Sequence, residues 1–128
     1  MSLKKILIVD DTDWNRDLLV QLLEDEYTVL QAVDGEQGVK AAEQDKPDLI
    51  LMDLGMPVMD GWEATKKIKA NDDLKHIPII AVTASAMSGD EERVMASGCD
   101  AYVSKPFPMM DLVGLIRQML GDLKLARA

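Results

Sequence analysis

The sequence of 128 residues has little of several residue types, and each shortage excludes a class of protein. A single cysteine, Cys99, rules out a disulfide bond within the chain. No apolar stretch approaches the roughly 20 residues that span a bilayer, and the amino terminus lacks a signal-peptide pattern. Basic residues are outnumbered, 14 against 23 acidic ones, and the net charge of −9 argues against nucleic acid or an anionic membrane as a direct partner. We therefore expect a soluble cytoplasmic protein.

Short apolar segments alternate with segments of helical periodicity along the whole chain. This alternation predicts βα units in a three-layer, doubly wound α/β domain with a parallel sheet. The predicted strands are residues 4–9, 27–30, 48–53, 77–82 and 101–104. The predicted helices are about 13–24, 35–42, 61–70, 88–98 and a final one that ends near 121. The inner side of the first helix is predicted to carry Trp14, Leu18, Leu22 and Leu23.

Polar side chains stand at the ends of four predicted strands. They are Asp10 and Asp11 after the first, Asp53 after the third, Thr83 after the fourth and Lys105 after the fifth. Open α/β sheets bind ligands at the carboxyl edge of their strands, so these groups are expected to converge there. Two carboxylates about 4 Å apart repel by roughly 4 kcal/mol at an effective dielectric constant of ~20, so three of them favour a bound cation. Oxygen ligands favour Mg²⁺, and a lysine beside them suits a phosphoryl group.

Each of these residues has an ordinary structural explanation when it is taken alone. An aspartate after a strand is commonly a helix cap or turn residue, and threonine suits strands. Thr12 or Asp13 can cap the first helix, so neither Asp10 nor Asp11 is needed for that task. His76, the only histidine, precedes the fourth strand and is expected in a loop away from the acidic edge.

The full set of segments has a resemblance to a known family. The chain has Ile-Val-Asp-Asp at 8–11, Leu-Met-Asp-Leu-Gly-Met-Pro at 51–57, Val-Thr-Ala at 82–84 and Lys-Pro at 105–106. Together, in order and spacing, these segments resemble the receiver domain of two-component response regulators. The resemblance extends over residues 1–128 and implies a single, stand-alone receiver domain with no output domain. It also implies a flavodoxin-like (βα)5 fold with a parallel sheet of strand order 2-1-3-4-5.

The resemblance implies a phosphoacceptor and a metal site. Asp53 is implied as the phosphoacceptor, which takes a phosphoryl group from a phosphohistidine. Asp11 and Asp53 are implied as direct ligands of Mg²⁺, with Mn²⁺ as an alternative, and Asp10 as a ligand largely through water. The backbone carbonyl of Gly55 is implied as the remaining protein ligand.

The resemblance also implies a switch. Thr83 would donate a hydrogen bond to one phosphoryl oxygen and Lys105 would pair with another. Tyr102 would turn inward when Thr83 is drawn to the phosphoryl group. Ala84 and Pro106 are expected to support the site, the first through its small size and the second through a cis bond after Lys105.

The implied partners are proteins. A histidine kinase or a histidine phosphotransfer protein would supply the phosphoryl group, and a downstream protein would bind the face of the fourth helix, fifth strand and fifth helix. The chain would be a monomer or a weak dimer that depends on phosphorylation. It would assist only its own phosphorylation and dephosphorylation, so it is not expected to be a conventional enzyme.

Two alternative functions remain open on the sequence. The first is a constitutive protein-interaction module that is never phosphorylated, although this chain keeps all the central residues. The second is a phosphatase with an aspartyl nucleophile, whose Asp-x-Asp motif would fall at Asp11 and Asp13. That motif would leave Asp53 without a role, and the residues after it do not fit the phosphatase pattern.

Overall fold

The computed structural model describes residues 3–54, 61–83, 96, 98–104 and 109–120. Its strands are β1 (Lys5–Val9), β2 (Thr28–Ala32), β3 (Leu49–Asp53), β4 (Ile79–Thr83) and β5 (Ala101–Ser104). Its helices are α1 (Asp13–Leu23), α2 (Gly35–Asp45), α3 (Gly61–Ala70) and a last described helix (Met109–Met119). All strands are parallel in the order β2-β1-β3-β4-β5, which confirms the predicted topology. The helix predicted at 88–98 lies mostly outside the described residues.

The central strands β1 and β3 are apolar at consecutive positions because both faces of the sheet are covered. Residues 6–9 and 49–52 are at most 1% exposed. Successive side chains of a strand point to opposite faces, so Leu7 and Val9 join one core cluster while Ile6 and Ile8 join the other. This pattern is typical of a parallel sheet buried between two layers of helices.

The described helices cover both faces of the sheet. Ala42 of α2 and Ile68 of α3 belong to the first core cluster. Leu19 of α1 and Ile116 of the last described helix belong to the second. In the described ranges, none of the helices combines the length and apolarity needed to cross a bilayer.

Helix α1 turns a different face to the sheet from the one predicted. Trp14 was expected on the inner side, but it is 72% exposed. The buried residues of α1 are Arg16, Leu19 and Leu23, which follow the i, i+3, i+7 spacing of an inner stripe. The prediction is wrong for Trp14. It relied on the apolar positions alone, whereas the buried stripe of α1 begins with a charged residue.

Helix α2 shows how local chemistry sets the bounds of an element. The side chain of Asp34 accepts a hydrogen bond from the backbone N–H of Gln37 at 2.8 Å and so caps the helix start. The helix continues three residues beyond the predicted end at Ala42. It stops where Lys46 adopts a left-handed conformation with φ of 46°, directly before Pro47. Sequence patterning found the start of α2 but ended it too early.

Lys69 links several segments at the edge of the sheet opposite the carboxyl ends of the strands. The Lys69 ammonium donates hydrogen bonds to the backbone carbonyls of Lys75 (3.0 Å) and Ile77 (2.8 Å). It also pairs with the Asp100 carboxylate at 2.9 Å, and that carboxylate accepts from the Ile79 N–H at 2.8 Å. We call this group the Lys69 clamp. It ties α3 to the segments that lead into β4 and β5.

We expect Lys69→Met to lower the free energy of unfolding by about 1–3 kcal/mol, because two backbone carbonyls and one carboxylate lose their donor in a half-buried setting. Urea denaturation followed by circular dichroism measures the change. Lys40→Met is the matched control. Lys40 pairs with Glu36 at 3.4 Å on the exposed side of α2, so its loss is expected to stay below about 0.5 kcal/mol. Equal losses in the two variants would contradict the clamp.

Candidate functional site

The connections that follow β1 and β3 diverge at the carboxyl edge of the sheet, and we call the space between the ends of these two strands the crevice. The chain leaves β1 toward α1 on one face of the sheet, and α3 packs on the other face after β3. In open α/β sheets the divergence of two such connections marks the ligand site. Val9 is the register partner of Met52, so Asp10 and Asp53 come next on neighbouring strands.

Three carboxylates gather in this crevice. One oxygen from each of Asp10, Asp11 and Asp53 lies within 4.8 Å of the other two. Asp10 is 5% exposed and Asp53 is 9% exposed, whereas Asp11 reaches solvent. Two carboxylates at this separation repel by about 3 kcal/mol at an effective dielectric constant of ~20. A donor set of hard oxygens with one solvent-exposed member fits a divalent cation such as Mg²⁺, which keeps several waters.

The turn after β1 brings adjacent acids to the same side. In an extended chain Asp10 and Asp11 would point in opposite directions. The turn is held at Asp10, whose N–H donates to the Ala32 carbonyl at 3.1 Å. The Asp10 carboxylate accepts from the Thr12 N–H at 2.9 Å, and the Asn15 amide lies 3.5 Å from its other oxygen.

Asp10 also takes part in starting α1. Thr12 occupies the N-cap position in extended conformation, and its carbonyl accepts from the Arg16 N–H at 3.1 Å. Its side chain makes no capping hydrogen bond, and the Asp13 carboxylate bonds to the Arg16 guanidinium instead. Thr12 is thus the N-cap residue by position, as expected, but without a side-chain capping bond, and the Asp10 carboxylate supports the turn by accepting from the Thr12 N–H.

Arg16 is a buried residue of the site that sequence analysis did not single out. It is 8% exposed, and its guanidinium lies on the main-chain side of the acids. It donates to the Asp10 carbonyl at 2.7 Å and to the Gln31 side chain at 3.3 Å, and it pairs with Asp13. The sequence does contain a signal for it: Arg16 is the first position of the i, i+3, i+7 spacing that Leu19 and Leu23 continue.

Asp53 is held in place by a helix that approaches its backbone closely. A Cβ atom on Gly61, the first residue of α3, would lie 2.2 Å from the Asp53 carbonyl oxygen and 2.7 Å from Cα of Leu54. The Gly61 N–H donates to the Leu54 carbonyl at 3.3 Å. The absence of a side chain at Gly61 therefore lets α3 begin against the end of β3, which fixes the backbone that carries Asp53.

Thr83 ends β4 at the same edge of the sheet. Its neighbour Val82 is the register partner of Asp53, and Thr83 itself pairs with Ser104 at the end of β5. The backbone of Thr83 thus lies one step from the acidic crevice. Both strands end together at this edge.

Tyr102 lies in the middle of β5, where Ala81 is its register partner. Its ring is half-buried and packs partly against the first core cluster. His76 is exposed in the turn before β4, at the opposite end of the sheet, as predicted. The remaining predicted site residues lie outside the described residues: Gly55, Ala84, Lys105 and Pro106.

Comparison with known proteins assigns the family. Residues 6–117 match the model of the response regulator receiver domain. The chain belongs to this family. The fold and the family that the sequence segments predicted are both confirmed, and the receiver is a signalling module of two-component systems.

The relatives of this receiver are similar over nearly their full length. The polar-differentiation response regulator DivK of Brucella anthropi is 43% identical over 120 residues, which cover 93% of this chain and 98% of the relative. DivK of Brucella ovis is 42% identical over the same shares.

Solved structures agree with the fold of this receiver. The receiver domain of a sensor histidine kinase from Pseudomonas aeruginosa is 36% identical, with a TM-score of 0.86 over 94% of this chain and 99% of that one. That structure has a magnesium ion coordinated in its active-site cleft. Chemotaxis protein CheY4 of Vibrio cholerae is 28% identical, with a TM-score of 0.86 over 92% of this chain and 99% of that one.

We expect Gly61→Ala to destabilise the protein by about 1–3 kcal/mol, because the new methyl group meets backbone rather than a side chain that can move aside. Thermal or urea unfolding measures the effect. Gly114→Ala is the matched control, since its Cβ would meet nothing within 4 Å and its helical position should gain about 0.5–1 kcal/mol. A gain in both variants would contradict the close approach of α3 to Asp53.

Proposed function

We propose that this receiver accepts a phosphoryl group on Asp53 in a two-component phosphorelay. The main support is the cluster of three carboxylates, in which Asp53 ends the central strand next to Asp10 and Asp11. A carboxylate in such a cluster is poorly explained by fold stability alone, because its neighbours repel it. Membership of the receiver family supports phosphoryl transfer as the reaction of this cluster.

Asp53 would act as the nucleophile. One of its carboxylate oxygens attacks the phosphorus of a phosphohistidine on a histidine kinase or a histidine phosphotransfer protein. A P–O bond forms while the P–N bond breaks, and the histidine nitrogen leaves with the bonding electrons and takes up a proton from solvent. The ionised carboxylate needs no general base. In phosphoryl transfer the protein mainly aligns the reacting atoms and stabilises negative charge.

Asp10, Asp11 and Asp53, together with the Gly55 carbonyl, would hold Mg²⁺, with Mn²⁺ as an alternative. The ion, when bound, offsets the charge of the acids and of the incoming phosphoryl oxygens. The donor set supports this role because all three side chains offer hard oxygen atoms within 4.8 Å of one another. The magnesium ion in the cleft of the Pseudomonas receiver domain supports it further.

The phosphoryl group would be contacted by residues at the ends of the last two strands and directly after them. Lys105 would pair with one phosphoryl oxygen and the Thr83 hydroxyl would donate to another, with Ala84 leaving space and Pro106 shaping the loop. The new group brings about two negative charges and strong acceptors. Tyr102 would turn inward as Thr83 moves. The half-buried position of Tyr102 on an edge strand supports this role, because its ring already contacts the core.

The output would be binding of a downstream protein. The proposed surface consists of the predicted fourth helix, β5 and the last described helix, where the apolar side chain of Met110 is 64% exposed. We further propose that residues 1–128 act as one receiver domain in the cytoplasm, as a monomer or a weak dimer that depends on phosphorylation. Its catalysis is limited to its own phosphorylation and dephosphorylation.

We expect acetyl phosphate with Mg²⁺ to add one phosphoryl group to the protein and to leave Asp53→Asn unlabelled, because the amide is not a nucleophile for this transfer. Intact-mass spectrometry measures the labelling. Asp48→Asn is the matched control, since Asp48 precedes the same strand at its opposite end and binds the Lys5 N–H at 2.8 Å. It should be labelled like the wild type, and chelation of Mg²⁺ should stop labelling in both.

Two other outcomes would support the alternative functions. An unlabelled wild-type protein would indicate a constitutive interaction module. Turnover of a phosphate monoester that is lost in Asp11→Asn but kept in Asp53→Asn would indicate a phosphatase.

The switch gives a separate prediction. Fluoroberyllate, which stands in for the phosphoryl group on Asp53, should shift the ring resonances of Tyr102 in the wild type but much less in Thr83→Ala, because the variant lacks the hydroxyl that responds to the group. Nuclear magnetic resonance of labelled tyrosine measures the shift. Tyr27, buried at 4% exposure in the other core cluster, is the internal control and should not move. Equal Tyr102 shifts with and without the Thr83 hydroxyl would count against the switch.

A further inference from the structure

The guanidinium of Arg16 connects three segments of the chain beneath the acidic crevice. Its Nη1 donates to the Asp10 carbonyl at the end of β1, and its Nε donates to the Gln31 side chain on β2. Its Nη2 pairs with Asp13 in the first turn of α1. The side chain is 10% exposed, so most of the planar guanidinium, with its N–H donors, lies inside the protein.

The bond to Asp10 acts on the peptide unit between the two acids. The carbonyl of Asp10 belongs to the peptide group that joins Asp10 to Asp11, and this group rotates as a rigid plane. A rotation would change ψ of Asp10 and φ of Asp11, and with them the direction of one carboxylate relative to the other. The 2.7 Å hydrogen bond from Arg16 fixes the carbonyl end of that plane. The Asp10 N–H is fixed separately by the Ala32 carbonyl.

Arg16 does this without occupying the acid oxygens of the crevice. Within the described part of the chain, its bonds at the turn go to the Asp10 carbonyl and to Asp13, which is outside the three-acid cluster. A buried cation that binds main chain beside a metal site therefore supports the site instead of competing with the metal.

We propose that Arg16 is a positioning residue for the metal site: it holds the peptide between Asp10 and Asp11 so that both carboxylates face Asp53. This inference rests on the proposed function, because the ligand of the site is the Mg²⁺ proposed there. Residues that orient metal ligands from outside the coordination sphere change metal affinity by about 10–100-fold when they are replaced.

The test is a calorimetric titration of the whole protein with MgCl₂. We expect Arg16→Met, which keeps an unbranched side chain but no donors, to bind Mg²⁺ about 10–100-fold more weakly than the wild type. Arg16→Lys keeps the charge and a single ammonium that cannot reach three separated acceptors, so it should fall between the two. Arg117→Met is the control, since it removes an arginine paired with Glu26 on the far side of the molecule, and its affinity should match the wild type.

Urea denaturation of the same variants separates positioning from stability. If Arg16→Met unfolds at lower urea but its folded form binds Mg²⁺ as tightly as the wild type, the role is only structural and the inference is overturned. If Arg16→Met does not fold, Gln31→Met takes its place, because Gln31 is exposed and supplies one acceptor that orients the guanidinium. A several-fold weaker affinity in Gln31→Met supports the inference and an unchanged one overturns it. A wild-type protein that binds no Mg²⁺ would instead contradict the proposed function.

Discussion

The mutual repulsion of three carboxylates at the ends of two buried strands is the constraint on which the site depends. The register of β1 and β3 brings Asp10 beside Asp53, and the turn after β1 adds Asp11 within 4.8 Å. Each close pair opposes folding by about 3 kcal/mol at an effective dielectric constant of ~20. The protein offsets part of this cost with the Thr12 N–H, the Asn15 amide and the solvent exposure of Asp11. The remainder favours a divalent cation.

Much of the fold follows from the sequence because the central strands of a covered parallel sheet are apolar at nearly every position, and few other elements are. The continuous apolar runs before Asp10 and Asp53 therefore predict β1 and β3. The polar residues at the ends of these runs predict the position of the crevice. What escaped prediction involves main-chain atoms. Arg16 is buried because the Asp10 carbonyl accepts its hydrogen bond, and no pattern of side-chain types records that acceptor. The wrong prediction for Trp14 has a related cause. The buried stripe of α1 begins with Arg16, so the apolar positions alone indicate a different face of the helix.

The two halves of the crevice are fixed by opposite means. On the α3 side, Gly61 has no side chain, and this lets a helix press on the carbonyl of Asp53. On the α1 side, Arg16 has a long side chain that reaches the carbonyl of Asp10. Both contacts act on the backbone, so they help to set the geometry of the acids without themselves using a carboxylate oxygen of the three acids. If the site binds and releases a charged group as proposed, contacts of this kind would preserve its shape.

This rigidity would limit where the proposed response to phosphorylation can go. The β1 and β3 residues beneath the acids are almost wholly buried, and the Lys69 clamp holds the starting ends of β4 and β5. The carboxyl ends of those two strands lie at the same edge of the sheet as Asp53, and Val82 of β4 is the register partner of Asp53. If Asp53 is phosphorylated as proposed, the added charge would act first on the end of β4 and then on β5, an edge strand whose displacement breaks fewer contacts than that of a central strand. The proposed signal would reach the half-buried Tyr102 by this path.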